Sequence, residues 1–525
     1  MKKLFSTWKS DLPSGLVVFL VALPLCLGIG LASTSLPGID GLPSLFAGII
    51  PGVIGGIIVG SLSGSRLGVS GPAAGLITIV TAGILTIGSY EGFLVAVVLS
   101  GIFQIIAGYL KAGIIGNYFP SAVIKGMLAA IGITLILKEI PHAVGYDKDF
   151  FGDESFWQKD GQNTLSQIPY ALKAFQPGAI VVSVISIVVM MVLEMKFFKK
   201  FKVFTFLPSA LIVVLLGIFL NGLFSISFQD LVISKDHLVS LPVAESLSDF
   251  VSFFNTPDFS FLANSDVYVI ALTIALVGSL ETLLSVEATD KLDPNRHHTP
   301  TNRELKAQGV GNIMSGLIGG LPVTQVIVRS SANINTGAKS KLSAIIHGII
   351  LFSCVGFIPH LLNLIPFASL AAILFFIGYK LAKIALFKQM WGLGMPQFIP
   401  FIGTVLGVLF SDLLTGIGIG MAISILYILK NNYRINFQLF ECMEEKGLKV
   451  ELLLSEQITF LNKGGIAETL VNLKPNSTLI INGSKCREIH IDVIEYIKEF
   501  IDFTAKEKNI KVRVIHLPWY DNHVA

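Results

Sequence analysis

The chain has 525 residues, of which 53% are hydrophobic and 14% charged, with a formal net charge of +3 and a mean hydropathy of +0.73. Ordinary soluble domains carry about 25% charged residues, so this composition excludes a soluble enzyme and places the chain among polytopic membrane proteins. The small net charge comes without a dense basic stripe and interleaved aromatics, which excludes nucleic acid as a partner.

The first residues carry Lys2, Lys3 and Lys9 and run into a full-length apolar span with no small-residue cleavage site. That pattern predicts a retained, cytoplasmic N-terminus instead of a removed leader. Apolar runs long enough to cross about 30 Å of hydrocarbon recur from Ser14 to Leu429. About fourteen spans are expected, two of them short, at 14–34, 44–62, 71–87, 92–110, 120–140, 178–197, 204–222, 265–287, 305–320, 325–338, 342–361, 366–387, 397–410 and 412–430.

Basic residues orient these spans, because retained loops are enriched in Lys and Arg. Arg66, Lys111, the group Lys196, Lys199, Lys200 and Lys202, then Lys291 with Arg296, Lys339 with Lys341, and Lys380 with Lys383 and Lys388 all follow even-numbered spans. The connection at about 223–263 bears Asp230, Asp236, Glu245, Asp249 and Asp258 against Lys235, and is expected outside. An even number of spans returns the C-terminus to the cytoplasm. The four cysteines, Cys26, Cys354, Cys442 and Cys486, show no paired spacing and predict neither disulfides nor a zinc site.

In the second span Gly48, Gly52, Gly56 and Gly60 form a small-xxx-small ladder that lets another helix approach closely. The third and tenth spans are each preceded by an interrupted, hydroxyl-bearing stretch, Val69-Ser-Gly-Pro-Ala-Ala-Gly75 and Leu321-Pro-Val-Thr-Gln325. Paired interruptions in two halves point to an inverted-repeat transporter and to its binding site. The tenth also carries Arg329, and a charge at membrane depth costs about 2.5–3.5 kcal/mol unless it faces a cavity or a substrate path.

Glu281 lies in the apolar eighth span with Ser285 one helical turn later on the same face. A carboxylate and a hydroxyl so placed could coordinate sodium, or the carboxyl could carry a proton. Glu287 and Asp290 read as helix-end ion pairs, and Arg303 and Glu304 as interface residues opening the ninth span. Lys125 is placed to snorkel to the surface, and His297 and His298 read as a solvated loop because no third ligand is near in sequence. After Lys430 the composition becomes water-compatible. A small α/β domain is expected at 446–525, with strands at 450–454, 477–482 and 511–516 and helices at 463–473 and 491–508.

In order and spacing, Asp11-Leu-Pro-Ser-Gly15, Gly71-Pro-Ala-Ala74, Asn117-Tyr-Phe-Pro-Ser-Ala-Val-Ile-Lys-Gly126, Arg303-Glu-Leu-Lys-Ala-Gln-Gly-Val-Gly-Asn312, Pro322 to Gly337 and Phe410-Ser-Asp-Leu-Leu-Thr-Gly416 resemble the SulP family of sulfate-permease-like anion transporters. The resemblance implies a polytopic α-helical membrane protein of about fourteen spans in a seven-plus-seven inverted repeat with two half-helices. It assigns 1–434 to a transmembrane domain, with spans one to four and eight to eleven as transport core and the others as gate. The tail at 446–525 is similar to a cytoplasmic STAS domain, and a homodimer in the bacterial inner membrane is implied.

The resemblance further places the anion between the facing N-termini of the third and tenth half-helices. It implies Gly71, Pro72, Ala73, Ala74, Gln325, Val326, Ile327 and Arg329 as substrate-binding residues, and Glu281 and Ser285 as the coupling-ion site. No cofactor is expected beyond a sodium ion at Glu281 and Ser285. Two departures stand out: Leu25 replaces a glutamine that many members carry after the proline, and Val493 stands where related regulatory proteins have a phosphorylatable serine.

The expected function is secondary active transport of a small inorganic anion, coupled to sodium or protons by an elevator-type mechanism. Bicarbonate is favoured over sulfate because Glu281 to Asp293 and Ile327 to Asn335 look most like a bacterial branch of that family often associated with carbonic anhydrases. Sulfate/proton symport, anion exchange, a non-transporting sensor and a channel are the alternatives. Enzyme chemistry lacks a nucleophile elbow, a phosphate loop or a metal-ligand cluster.

Overall fold

The computed structural model describes residues 6–34, 45–149, 156–158, 161–195, 207–434, 437–444 and 447–517. Lys2, Lys3 and the lysines at 196, 199, 200 and 202 lie outside them. The chain divides into two compact units, Met1–Met421 and Ala422–Ala525.

Each expected apolar stretch contains a helix: α1 (Trp8–Thr34), α2 (Phe46–Ile54), α3 (Ile77–Ile87), α4 (Tyr90–Tyr109), α5 (Ser121–Ala143), α6 (Pro177–Leu193), α7 (Ser209–Ser227), α8 (Ser265–Leu292), α9 (Thr301–Leu317), α10 (Ile327–Asn335), α11 (Leu342–Phe357), α12 (Phe367–Leu381), α13 (Met395–Phe410) and α14 (Leu413–Arg434). Among the described residues, seven helices are long and apolar enough to cross a membrane by length and composition alone. The others are shortened by breaks. A separate helix, Gln167–Lys173, meets α6 at 115°, and α2 continues through a π turn at Gly55–Val59, where a Cβ on Gly55 would lie 2.3 Å from the Ser70 carbonyl oxygen.

The two halves pack by one scheme. α1 lies on α11 as α8 lies on α4, α2 crosses α11 as α9 crosses α4, α1 meets α10 as α8 meets α3, and α6 joins α12 as α13 joins α5. Glycines set the closest crossings. A Cβ on Gly101 of α4 would stand 2.4 Å from the Gly309 carbonyl oxygen of α9, and one on Gly309 would stand 2.5 Å from that of Gly101. Gly132 of α5 and Gly378 of α12 exclude each other's Cβ in the same way, at 2.6 and 2.7 Å. Lipid gives helices no hydrophobic reason to associate, so van der Waals contact at such small residues holds them.

Between the halves, β1 (Ser70–Pro72) and β2 (Val323–Gln325) pair antiparallel, with Gly71 opposite Thr324. These strands replace the first turns of the expected third and tenth spans.

The acidic connection after α7 is tied down at two places. The Val239 amide donates to the Ile365 carbonyl at 2.9 Å, and the Leu241 amide to Asn363 Oδ1 at 2.7 Å. His237 of this connection and His142 at the end of α5 donate their Nδ1 protons to the two oxygens of Asp147, at 2.5 Å each.

In the second unit, β3 (Phe437–Glu444), β4 (Gly447–Leu454), β6 (Thr478–Asn482) and β8 (Lys511–Ile515) form one sheet in that order. β3 and β4 are antiparallel and the other pairs parallel. β5 (Gln457–Ile458) pairs with β7 (Glu488–Ile489). α15 (Lys463–Val471) and α16 (Ile491–Glu499) contribute Ile466, Leu470, Val493 and Ile497 to a core shared with Val450, Leu452 and Ile481. The strand β3 lies before the expected start at 446. Val493 is fully buried, so its side chain packs in the core.

Burial pushes the Asp147 carboxyl up, but the hydrogen bonds from His142 and His237 outweigh it and hold the carboxyl below its usual range. A carboxylate with a depressed folded-state pKa stabilises fully above its unfolded value and loses that contribution as pH falls through the folded value. Asp147→Asn is therefore expected to melt below wild type at about pH 5, with the gap closing below about pH 3.9. Thermal unfolding in detergent across that range checks it.

Candidate functional site

The strand pair sits where two helices are interrupted, so its backbone must find partners inside an apolar bundle. Side chains of α9 and α8 supply them. Asn312 accepts from the Val323 amide at 2.6 Å and donates to the Val323 carbonyl at 3.1 Å and to Gln104 Oε1 at 2.7 Å, acting as a third strand beside β2. Gln308 Nε2 donates to Ser70 Oγ at 2.7 Å and to Glu304 Oε1 at 3.0 Å, and the Ser63 hydroxyl donates to the other Glu304 oxygen. The Gln325 amide donates to Thr282 Oγ1 at 3.3 Å and its side chain to Thr289 Oγ1 at 3.0 Å. The Val326 amide donates to the Val69 carbonyl at 2.9 Å.

Beyond each strand one extended residue leads into helical turns, a 3-10 turn at Ala74–Leu76 before α3 on one side and α10 directly on the other, and the two extended residues match closely. Ala73 has φ −111° and ψ 133°, and Val326 has φ −110° and ψ 122°. Neither provides a side-chain cap. The amides of these first turns and the positive end of the helix dipole meet no capping side chain, although the Leu76 amide donates to the Ala73 carbonyl at 3.3 Å, and this arrangement suits an anion.

The expected site residues separate by access. Ala74 and Val326 are partly accessible, as is Gly75, whereas Gly71, Pro72, Ala73, Gln325, Ile327 and Arg329 are buried. Gln325 spends its side chain on Thr289, and the Arg329 guanidinium lies against Gly71, where a Cβ would come within 2.0 Å of Nη1. Glu281 comes to the half-helix end itself. A Cβ on Gly75 would stand 3.3 Å from its Oε2 and 3.5 Å from its Oε1. Ser285, one turn along α8, is buried, and its carbonyl accepts from Thr289 Oγ1 at 2.6 Å. Hard oxygen donors of this kind suit an alkali cation in chemical type.

Other expected roles resolve individually. Arg303 Nε donates to the Leu62 carbonyl at 2.9 Å, an interface contact. Glu287 pairs with Lys291 at 3.2 Å. Asp290 instead closes a turn, accepting from the Thr299 amide at 2.6 Å and its hydroxyl at 2.7 Å, because that backbone is the nearest donor. His297 bonds Asp293 at 2.7 Å and His298 is exposed. Among the described residues no cluster of three His, Cys, Asp or Glu side chains could hold a metal ion, and all four cysteines are free.

Sequence reasoning missed the supports Gln104, Thr282, Thr289, Gln308 and Asn312. One signal was available: Glu304, Gln308 and Asn312 recur at four-residue steps in a span, which makes one polar stripe along α9.

Residues 8–404 match the family described as the sulfate permease family. The chain belongs to that family. It is therefore a membrane transporter and not an enzyme. It is 28% identical over 425 residues to YvdB of Bacillus subtilis, named as a candidate sulfate transporter, covering 81% of this chain and 74% of that protein. It is 24% identical over 429 residues to the bicarbonate transporter BicA of a Picosynechococcus species, covering 80% of this chain and 70% of that protein. The solved transmembrane domain of a cyanobacterial BicA superposes with a TM-score of 0.54 at 23% identity, over 78% of this chain and 98% of that one. The overall structure of SLC26A9 gives 0.65 at 14% identity, over 99% and 86%. These superpositions establish a shared fold.

If the anion rests between the half-helix ends, Val326→Trp fills the accessible space and is expected to abolish anion binding while the protein stays inserted and monodisperse. Isothermal titration with bicarbonate and sulfate reads this, and unchanged affinity would place the anion elsewhere. Gly71→Ala forces the Arg329 side chain to move, an overpacking that costs about 1–3 kcal/mol and is expected as a lower melting temperature.

Proposed function

We propose that this transporter carries a small inorganic anion, bicarbonate in preference to sulfate, across the bacterial inner membrane by elevator-type alternating access coupled to sodium or protons. The observation that carries the reading is the Glu281 carboxylate against Gly75, at the uncapped end of a half-helix. An anion there and a carboxylate beside it repel each other, and a cation or proton taken up by Glu281 removes the repulsion. Binding of the two ions is then mutually dependent, which is the basis of symport.

In this reading α1–α4 and α8–α11 form the moving core and α5–α7 with α12–α14 the gate. The repeated packing scheme of the two halves supports a seven-plus-seven inverted repeat of fourteen spans. The sites named lie in 1–434, and the sheet domain after α14 is a STAS-like module in the cytoplasm, beside a cytoplasmic N-terminus, in a homodimer. The name of BicA supports bicarbonate, and that of YvdB supports sulfate as the second reading. Sodium, as co-transported cargo, would be held by Glu281 and Ser285.

Uptake of labelled bicarbonate, sulfate and chloride into proteoliposomes, with and without imposed sodium and proton gradients, tests the proposal. Gradient-driven accumulation of bicarbonate is expected, and uptake of none of the three would overturn transport by this site. Glu281→Gln is expected to retain anion exchange but to lose concentrative uptake. Wild-type accumulation in Glu281→Gln would return Glu281 to a structural role.

A further inference from the structure

The acidic connection from α7 to α8 is held on both sides of the boundary between the proposed gate and core, by two different kinds of contact. At the gate, His237 bonds Asp147, which His142 of α5 also engages. The Leu241 amide donates to Asn363 Oδ1 at 2.7 Å, and the Leu241 carbonyl accepts from Asn363 Nδ2 at 3.2 Å. With Val239 on the Ile365 carbonyl and Leu238 bridged to Pro366, this stretch lies along the residues that lead into α12. Val239 and Leu241 are buried, so parting these directional bonds would strand buried polar groups.

At the core the contact is aromatic. A six-residue helix, Leu247–Ser252, is capped by the Ser246 hydroxyl, which accepts from the Asp249 amide at 3.2 Å. Phe250 within it, and Phe253 and Phe254 just after it, converge on Phe46, the first residue of α2, with ring centroids at 5.5, 5.7 and 5.1 Å. Phe250 also meets Phe352 of α11 at 6.2 Å, and a Cβ on Gly356 of that helix would stand 3.8 Å from the Phe250 ring. Asn255 then lies against the turn after α9, where a Cβ on Gly319 would stand 2.5 Å from its amide nitrogen. The Asp258 amide donates to the Glu91 carbonyl at the start of α4 at 3.2 Å. The chain is therefore on the core before α8 begins.

A connection that only joined two helices would have no need of three phenylalanines between its acidic residues. We propose that Phe250, Phe253 and Phe254 form a latch, which holds the transport core in the position seen here and leaves Phe46 and Phe352 when the core moves. The proposal rests on the assignment of core and gate under the proposed function. An elevator displaces α2 and α11 relative to α5 and α12, and the connection bridges that boundary, so one of its two holds has to yield. Ring contacts are not directional and part without leaving a polar group unpaired, whereas the gate hold is built from buried hydrogen bonds. The rings are thus the end that yields, and they govern departure from this state without touching the anion.

The test uses the full-length protein in lipid nanodiscs with Cys354→Ala and Cys442→Ser, since the other two cysteines are buried. Spin labels go on Val251→Cys, exposed beside the rings, and on Leu85→Cys, exposed on α3. Electron-spin distance measurement is expected to show a main latched population and a minor second one. Adding Phe250→Ala and Phe254→Ala is expected to enlarge the second population at least fivefold. One unchanged distance in both proteins, with and without bicarbonate, sulfate or chloride, would show that the rings travel with the core and would overturn the latch. In proteoliposomes, Phe250→Cys and Gly356→Cys joined by a reducible bismaleimide are expected to keep anion binding but to lose uptake at least tenfold, with recovery on reduction. Full uptake by the cross-linked protein would overturn the latch and leave the transport reading standing. Absence of uptake in the unlinked wild type would instead overturn the transport reading, while the distance measurement still decides the latch.

Discussion

Hydrocarbon offers no hydrogen-bond partner, so a chain that interrupts two helices inside an apolar bundle must satisfy every exposed amide and carbonyl from its own atoms. The first unit is organised around that constraint. Ser70–Pro72 and Val323–Gln325 satisfy part of each other's backbone by pairing, and Asn312, Gln308 and Thr282 satisfy or brace the rest. The turns that follow Ala73 and Val326 have no capping side chain, an arrangement that suits a bound acceptor.

The same constraint explains the distribution of polar side chains. The stripe Glu304, Gln308 and Asn312 would be costly on a lipid-facing helix, yet it is buried against α2, β1 and β2. Gln325, placed by sequence among ligand contacts, is instead a brace, since its amide is held by Thr289 and its N–H by Thr282. The other polar residues hold the backbone in position, and the site proposed above would rest on backbone N–H groups and on one carboxylate. A site made of backbone leaves a weak signature in residue identity, because its chemistry is supplied by atoms that every residue has.

Glycine is the second organising element. The crossings at Gly101–Gly309 and Gly132–Gly378 bring helix backbones into contact. The repetition of the packing scheme in both halves gives α3 and α10 equivalent surroundings, and the extended residues that follow the two strands, Ala73 and Val326, share nearly the same dihedrals. Equivalent half-helices differ in what stands beside them: Glu281 lies at Gly75, and Arg329 lies within α10 itself.

The sequence alone determined the membrane class, the succession of fourteen apolar stretches and the two interruptions, because length, hydropathy and Gly/Pro placement are local properties. It also revealed the longer strands β4, β6 and β8 and the helices of the tail through their period, but not β3, which precedes the expected domain start and owes its place to pairing with β4, nor the two-residue strands β5 and β7. Only the tertiary structure decided which polar residues face the half-helix ends and which brace them. Glu281 and Gly75 are 206 positions apart, Thr282 and Gln325 are 43 apart and Ser70 and Gln308 are 238 apart, and no local pattern encodes such meetings. The strand pair β1–β2 was hidden for the same reason: segments of three residues become strands only when a second interrupted helix is brought alongside.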